Sequence, residues 1–146
     1  MIHIRTQVFE TNSSMTHSIV MCKDEEFEKF QKGEYFFNEY MDPRFLPKEE
    51  ALKKNAEKLR EYLADSKTND PQYCFEDETI EALTEENIKL YEEGKFDLCE
   101  FCLDKWETSE ELYFDWEYYW ETICEYYETF DDSYNGVTAF GYYGHD

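Results

Sequence analysis

Between Trp106 and Asp146 the chain carries 11 acidic residues and no lysine or arginine. No cation within this stretch can neutralise a buried carboxylate, and unpaired charges are rarely buried. Its acids are therefore expected outside, and its aromatics inside. The run Glu111-Leu112-Tyr113-Phe114-Asp115-Trp116-Glu117-Tyr118-Tyr119-Trp120-Glu121 shows how closely the two are interleaved. Merely disordered acidic tails lack such aromatics.

The same imbalance runs through the whole chain, with 36 Asp and Glu against 14 Lys and Arg and a net charge of -22 over 146 residues. Residues 1–22 are nearly neutral, with only Arg5 and Glu10 charged, and residues 23–105 are mixed. A surface this negative repels itself and attracts cationic partners, so stability is expected to rise with salt and with mild acidification. The 28 aromatic residues supply core material, each able to bury ~150–250 Å². Residues 1–146 read as one domain, without internal repeats or a Gly/Ser/Pro linker. No stretch reaches the ~20 apolar residues of a membrane span, and Met1-Ile2-His3-Ile4-Arg5 lacks the layout of a signal peptide. Five cysteines, an odd number, suit reduced thiols better than a disulfide framework. The expected location is the cytoplasm, with no membrane partner.

Ile2, Ile4, Thr6 and Val8 alternate with His3, Arg5 and Gln7, as in a strand. A polar turn over Glu10–Thr16 and a second strand from His17 to Cys22 complete an N-terminal hairpin. A short helix is expected over Asp24–Gln31, ending at Gly33, with Phe27 and Phe30 inward. Glu34–Tyr40 is expected to be extended. Pro47 to Ala64 reads as a helix, with Pro47 at its first position and Leu52, Ala56, Leu59 and Leu63 as its buried stripe. Glu78–Glu93 reads as helical, broken near Thr84 and stopped at Gly94. Thr108-Ser109-Glu110-Glu111 matches a capping box and opens the strongest expected helix, Ser109–Phe130. Asp131–Gly136 is expected to end that helix, and Val137–Tyr143 to form a last strand. The resulting class is α+β: a small antiparallel sheet, built of the N-terminal hairpin and the C-terminal strand, packed with three to four helices.

On that long helix Glu110, Glu117, Glu121, Glu125 and Glu128 share one face, with Phe114 and Tyr118 among them as aromatic anchors. These seven residues are the candidate partner-binding set. Acids at i and i+4 lie ~6 Å apart, whereas duplex DNA presents a charge every ~1.7 Å of axis. One such row is too sparse to imitate a duplex, so mimicry needs a second acidic surface beside it. A solvated helix face is the plainer explanation of the row.

Other constellations are weaker. Cys99-Glu100-Phe101-Cys102 is the one C-x-x-C, and a zinc site needs further ligands from Cys22, Cys74, Cys124, His17 or His145. Half-buried thiols explain the pair as well. Asp131, Ser133 and Asn135 match the start of an EF-hand loop, but Tyr142 stands where the bidentate acid belongs. Asn12, Ser13, Ser14 and His17 could suggest a nucleophile and base, with turn capping as the alternative. No phosphate loop or dinucleotide fingerprint occurs, and no basic patch suits direct contact with nucleic acid. No cofactor is implied.

Phe9-Glu10-Thr11-Asn12-Ser13-Ser14-Met15-Thr16-His17-Ser18 resembles a leader, F-E-T-N-S-S-S-T-H-S, found near the start of small proteins of phages and mobile elements. Met15 departs from its third serine. The resemblance covers about a tenth of the chain and implies a phage-like origin. By size and charge the chain is also similar to acidic DNA-mimic inhibitors, including anti-CRISPR proteins. That likeness implies a non-enzymatic inhibitor acting on a basic, nucleic-acid-binding host protein such as a CRISPR effector nuclease. Two alternatives stand beside it: an enzyme or zinc-dependent protein centred on the His17 loop and Cys99/Cys102, and an acidic adaptor for a basic protein.

Overall fold

The structure, a computed structural model, describes the backbone of residues 4–5, 9–11 and 15–145, and the side chains of 18–144 apart from 122 and 124–126. The fold is mixed α+β. The chain groups into two compact units: residues 1–35 with 115–146, and residues 36–114. Among the described residues there are six α-helices, more than the three to four expected from sequence.

The first unit is built on an antiparallel sheet. Its long strands are β3 (Met15–Lys23), β6 (Glu128–Tyr134) and β7 (Val137–His145), with β7 in the middle. The short strands β1 (Ile4–Arg5) and β2 (Phe9–Thr11) pair with the other side of β3, so an N-terminal hairpin forms as expected, but Glu10, Thr11, Met15 and Thr16 of the expected turn pair as strand instead. In the β3–β7 register Ser18 faces Tyr142, Val20 faces Phe140 and Cys22 faces Thr138. All six are buried, because directly opposed residues share a sheet face. Gly141 sits opposite Ile19. A β-carbon there would lie 1.9 Å from the Ser18 carbonyl oxygen, so only glycine permits the two backbones to approach this closely.

Helices α1 (Asp24–Gln31) and α6 (Trp116–Tyr126) cover the buried sheet face. Phe140 lies 5.1 Å from Phe27, 5.9 Å from Phe30 and 6.4 Å from both Tyr119 and Trp120, ring centre to ring centre. Such edge and tilted pairs add about 0.5–1.5 kcal/mol each beyond burial. The Asp24 carboxylate accepts from the Ser133 and Thr138 hydroxyls at 2.8 and 2.6 Å, tying the start of α1 to the β6–β7 hairpin. The Cys22 thiol is pushed up to about 12, first by burial and then by the charges of Glu26 and Asp24, so it stays an inert core thiol.

The second unit begins in β4 (Tyr35–Phe37), which pairs with β5 (Phe45–Pro47). Helix α2 (Lys48–Ser66) packs against α4 (Glu85–Glu92). Of the expected α2 stripe, Leu52, Ala56 and Leu59 are buried, while Leu63 is half-buried. The break near Thr84 is real: α3 (Asp77–Ala82) stops there and the Thr84 hydroxyl caps α4, accepting from the Asn87 N–H at 3.2 Å. A 3-10 turn (Leu98–Phe101) and the short α5 (Lys105–Thr108) follow.

The helix expected over Ser109–Phe130 is instead three structures. Thr108 ends α5 rather than capping a new helix, and its hydroxyl donates to the Asp104 carbonyl at 2.9 Å. Residues 112–114 are extended: Phe114 and Phe37 exchange two backbone bonds of 2.8 Å, and the Tyr113 N–H donates to Asn55 Oδ1 at 2.9 Å. Helix α6 starts only where Asp115 Oδ1 accepts from the Tyr118 N–H at 2.8 Å. It ends at Tyr126 because Glu128–Tyr134 pairs with β7 across an Asn135-Gly136 turn, both turn residues having positive φ. Asp131 and Ser133 thus lie in a strand, where no calcium-type loop forms. Asn135-Gly136 joins strand to strand, not helix to strand.

Candidate functional site

The partner-binding set expected from sequence divides between the two units. Glu110 and Phe114 belong to the second, and the other five to the first. Phe114 is 2% exposed. Its ring is core, so it is no surface anchor. Glu110 is exposed but lies in the turn after α5. Tyr118 is half-buried on α6. Glu117 and Glu121 are both exposed on α6, one helical turn apart. Glu125 is in the same helix, but its side chain lies outside the described set. Glu128 is not on the helix at all: it opens β6.

On β6, Glu128, Asp131 and Asp132 are all exposed, and β6 packs against α6. Glu128 and Asp132 share the sheet face turned away from α6, whereas Asp131 lies on the other face. The first unit therefore carries carboxylates on two adjoining elements with no lysine or arginine between residues 115 and 146. The missed signal was Asn135-Gly136 itself, the commonest two-residue hairpin turn. The Tyr143 hydroxyl donates to the Glu128 carboxylate, and that bond raises the Tyr143 pKa.

A second cluster has the opposite character. In the second unit both oxygens of Glu111 accept phenol protons, one from Tyr62 and one from Tyr73 at 2.7 Å. The Lys58 ammonium sits 3.4 Å away and also binds Glu61 at 2.8 Å. Burial works against the Glu111 charge, yet the two hydroxyls and Lys58 outweigh it and hold the carboxyl below its ordinary range. Burial and then Glu111 push the Tyr62 phenol up, and the bond to Glu111 raises Tyr73. A carboxylate this well satisfied is a poor proton donor or acceptor near neutral pH. Its work is to tie the segment after α5 to α2, in place of the reciprocal cap expected for Glu111.

Cys99 and Cys102 flank the end of the 3-10 turn with exposed side chains and form no disulfide. Among the described residues no group of three His, Cys, Asp or Glu is arranged to hold a metal ion. The Asn12, Ser13 and Ser14 loop lies outside the described residues, as does the His17 side chain. A cleft of about 160 Å³ beside α1 is lined by Lys23, Glu25, Glu26, Lys29 and Tyr35, well below the ~300–1,000 Å³ of typical small-molecule sites. Among the described residues no helix is long and apolar enough to cross a membrane.

The fold is that of an acidic α+β protein with exposed carboxylates on α6 and β6, in a segment without lysine or arginine. No protein family, curated protein or solved structure matches this chain.

Proposed function

We propose that the protein is a non-enzymatic inhibitor that imitates nucleic acid and occupies a basic nucleic-acid-binding cleft. A guide-loaded CRISPR nuclease of a phage host is the most specific target, which places the protein in the host cytoplasm. The observation that carries this reading is the side of the first unit on which α6 and β6 meet: exposed Glu117 and Glu121 on the helix, with exposed Asp131 on the helix-facing side of the adjoining strand. A single helical row offers one charge per ~6 Å. The strand adds Asp131 to that side, while Glu128 and Asp132 place two more carboxylates on the opposite sheet face. Carboxylates suit the forked guanidinium groups that line phosphate-binding clefts.

The test is DNA cleavage by a panel of purified, guide-loaded CRISPR nucleases with the protein added at rising salt. Inhibition that weakens with salt and is relieved by excess duplex DNA is expected. An unaffected panel, or inhibition indifferent to salt and DNA, would sink the proposal.

A further inference from the structure

The two faces of the first unit's sheet differ. One is sealed by α1 and α6; the other carries Ile19 at 36%, Tyr143 at 40% and Tyr134 at 80% exposure. The register gathers these side chains. Ile19, Gly141 and Phe130 form one cross-strand row, and Met21, Ala139 and Asp132 the next. The central strand contributes the small residues Gly141 and Ala139 between the larger side chains of β3 and β6. Phe130 and Tyr143 meet diagonally between the adjacent strands β6 and β7, with ring centres 6.4 Å apart. Glu128 and Asp132 border the same face along β6, and Lys23 shares the row of Tyr134 at one end.

We infer that this outward sheet face is a docking surface for a cationic protein surface with an apolar centre. The inference rests on the cationic partner of the reading above and adds a second contact to it, on the sheet face opposite the α6 acids. Three strands ~4.8 Å apart and seven residues at ~3.4 Å cover on the order of 300 Å². That is less than the ~800 Å² each partner contributes to a stable interface, so the apolar patch suits the centre and the acids the rim. Exposed tyrosines bordered by polar groups are the usual anchors of such centres, and scattered single apolar residues would need no explanation. Charge selects the occupant. A second copy of this chain would bring Glu128 and Asp132 against their own likenesses on a protein of net charge -22, and like charges facing each other are strongly disfavoured. A lysine- or arginine-rimmed partner meets them with opposite sign.

The test uses two synthetic peptides of equal positive charge, an oligolysine and a peptide alternating lysine with leucine, titrated into the full chain. The alternating peptide is expected to bind more tightly and to protect β6 and β7 amides from hydrogen exchange. Ile19→Ser with Tyr134→Ser should weaken it about tenfold and leave oligolysine binding unchanged. Tyr134→Ser alone, at the most exposed site, serves if the pair unfolds in a thermal melt. Glu117→Gln with Glu121→Gln on α6 should spare the alternating peptide. Equal affinity for the two peptides overturns the inference, as does loss of the alternating peptide through the α6 changes alone. So does a dimer in sedimentation that Tyr134→Ser dissolves, which makes a second copy the occupant. A nuclease panel that shows no inhibition overturns the inhibitor reading without touching these results.

Discussion

The two units carry nearly the same net charge but handle it differently. Residues 1–35 with 115–146 hold 14 acids against four bases, and residues 36–114 hold 22 against ten. In the second unit some of the acids are paired and put to structural use: Arg60 bridges Glu85 at 3.0 Å and Glu92 at 3.5 Å, and Lys58 bridges Glu61 and Glu111. Buried amides do the rest. Asn55 Nδ2 donates to the Tyr91 hydroxyl and the Tyr113 carbonyl, both at 2.8 Å, and its Oδ1 accepts from the Tyr113 N–H. The first unit relies on aromatic packing over one sheet face and leaves its C-terminal acids in solvent. The two units thus reach stability by different routes, one by polar and ionic pairing and the other by ring packing over a sheet.

Ways to break this contrast follow, in order of size. Phe140→Ala removes the ring at the centre of the first unit's aromatic cluster and should cost about 3–5 kcal/mol in chemical denaturation. Loss below 1 kcal/mol would mean the cluster is not the core. Asn55→Ala strands a phenol, a carbonyl and an N–H in the second unit's interior and should cost about 3 kcal/mol. A near-neutral result would remove the claim that buried amides hold this unit.

Glu111→Gln should cost about 1 kcal/mol near neutral pH and change the acid limb. The Glu111 pKa is depressed by folding. Its contribution is therefore complete above the unfolded carboxyl value of ~4.3 and is lost as pH falls through the lower folded value. Wild type and variant should converge in stability below about pH 4, and a gap that stays constant to pH 2 would contradict the assignment. The smallest effects should differ in sign. Glu85→Gln removes an exposed ion pair and should destabilise by less than about 1 kcal/mol. Glu117→Gln with Glu121→Gln relieves repulsion and should raise the melting temperature slightly, within about 0.5 kcal/mol. That gain should shrink as salt screens the acids.

Much of the fold was legible because local rules and tertiary contacts agreed. Asp24–Gln31 with its stop at Gly33, the Thr84 break and the terminal strand all follow from caps, glycines and periodicity. The long C-terminal helix was misread where they disagreed. Residues 109–114 have a helical pattern, but Asn55 and Phe37 claim their backbone groups. Glu128–Tyr134 carries on the helical spacing through Phe130, yet the Asn135-Gly136 turn folds it back on β7. Both decisions come from residues distant in sequence or from a turn signal read in isolation. As a result Phe114 moved into the core, Glu128 moved to a strand, and Asp131 and Asp132 entered the candidate surface.

The most direct measurement of the central claim is a salt-dependent binding titration of the protein against guide-loaded CRISPR nucleases. Two variants of equal charge change are compared with wild type: Glu117, Glu121 and Asp131 neutralised in the first unit, and Glu49, Glu57 and Glu81 neutralised in the second. All six side chains are exposed. The first variant should bind about tenfold or more weakly and show a shallower salt dependence, while the second stays near wild type. Equal losses from both variants, or none from the first, would contradict the assignment of binding to the base-free segment.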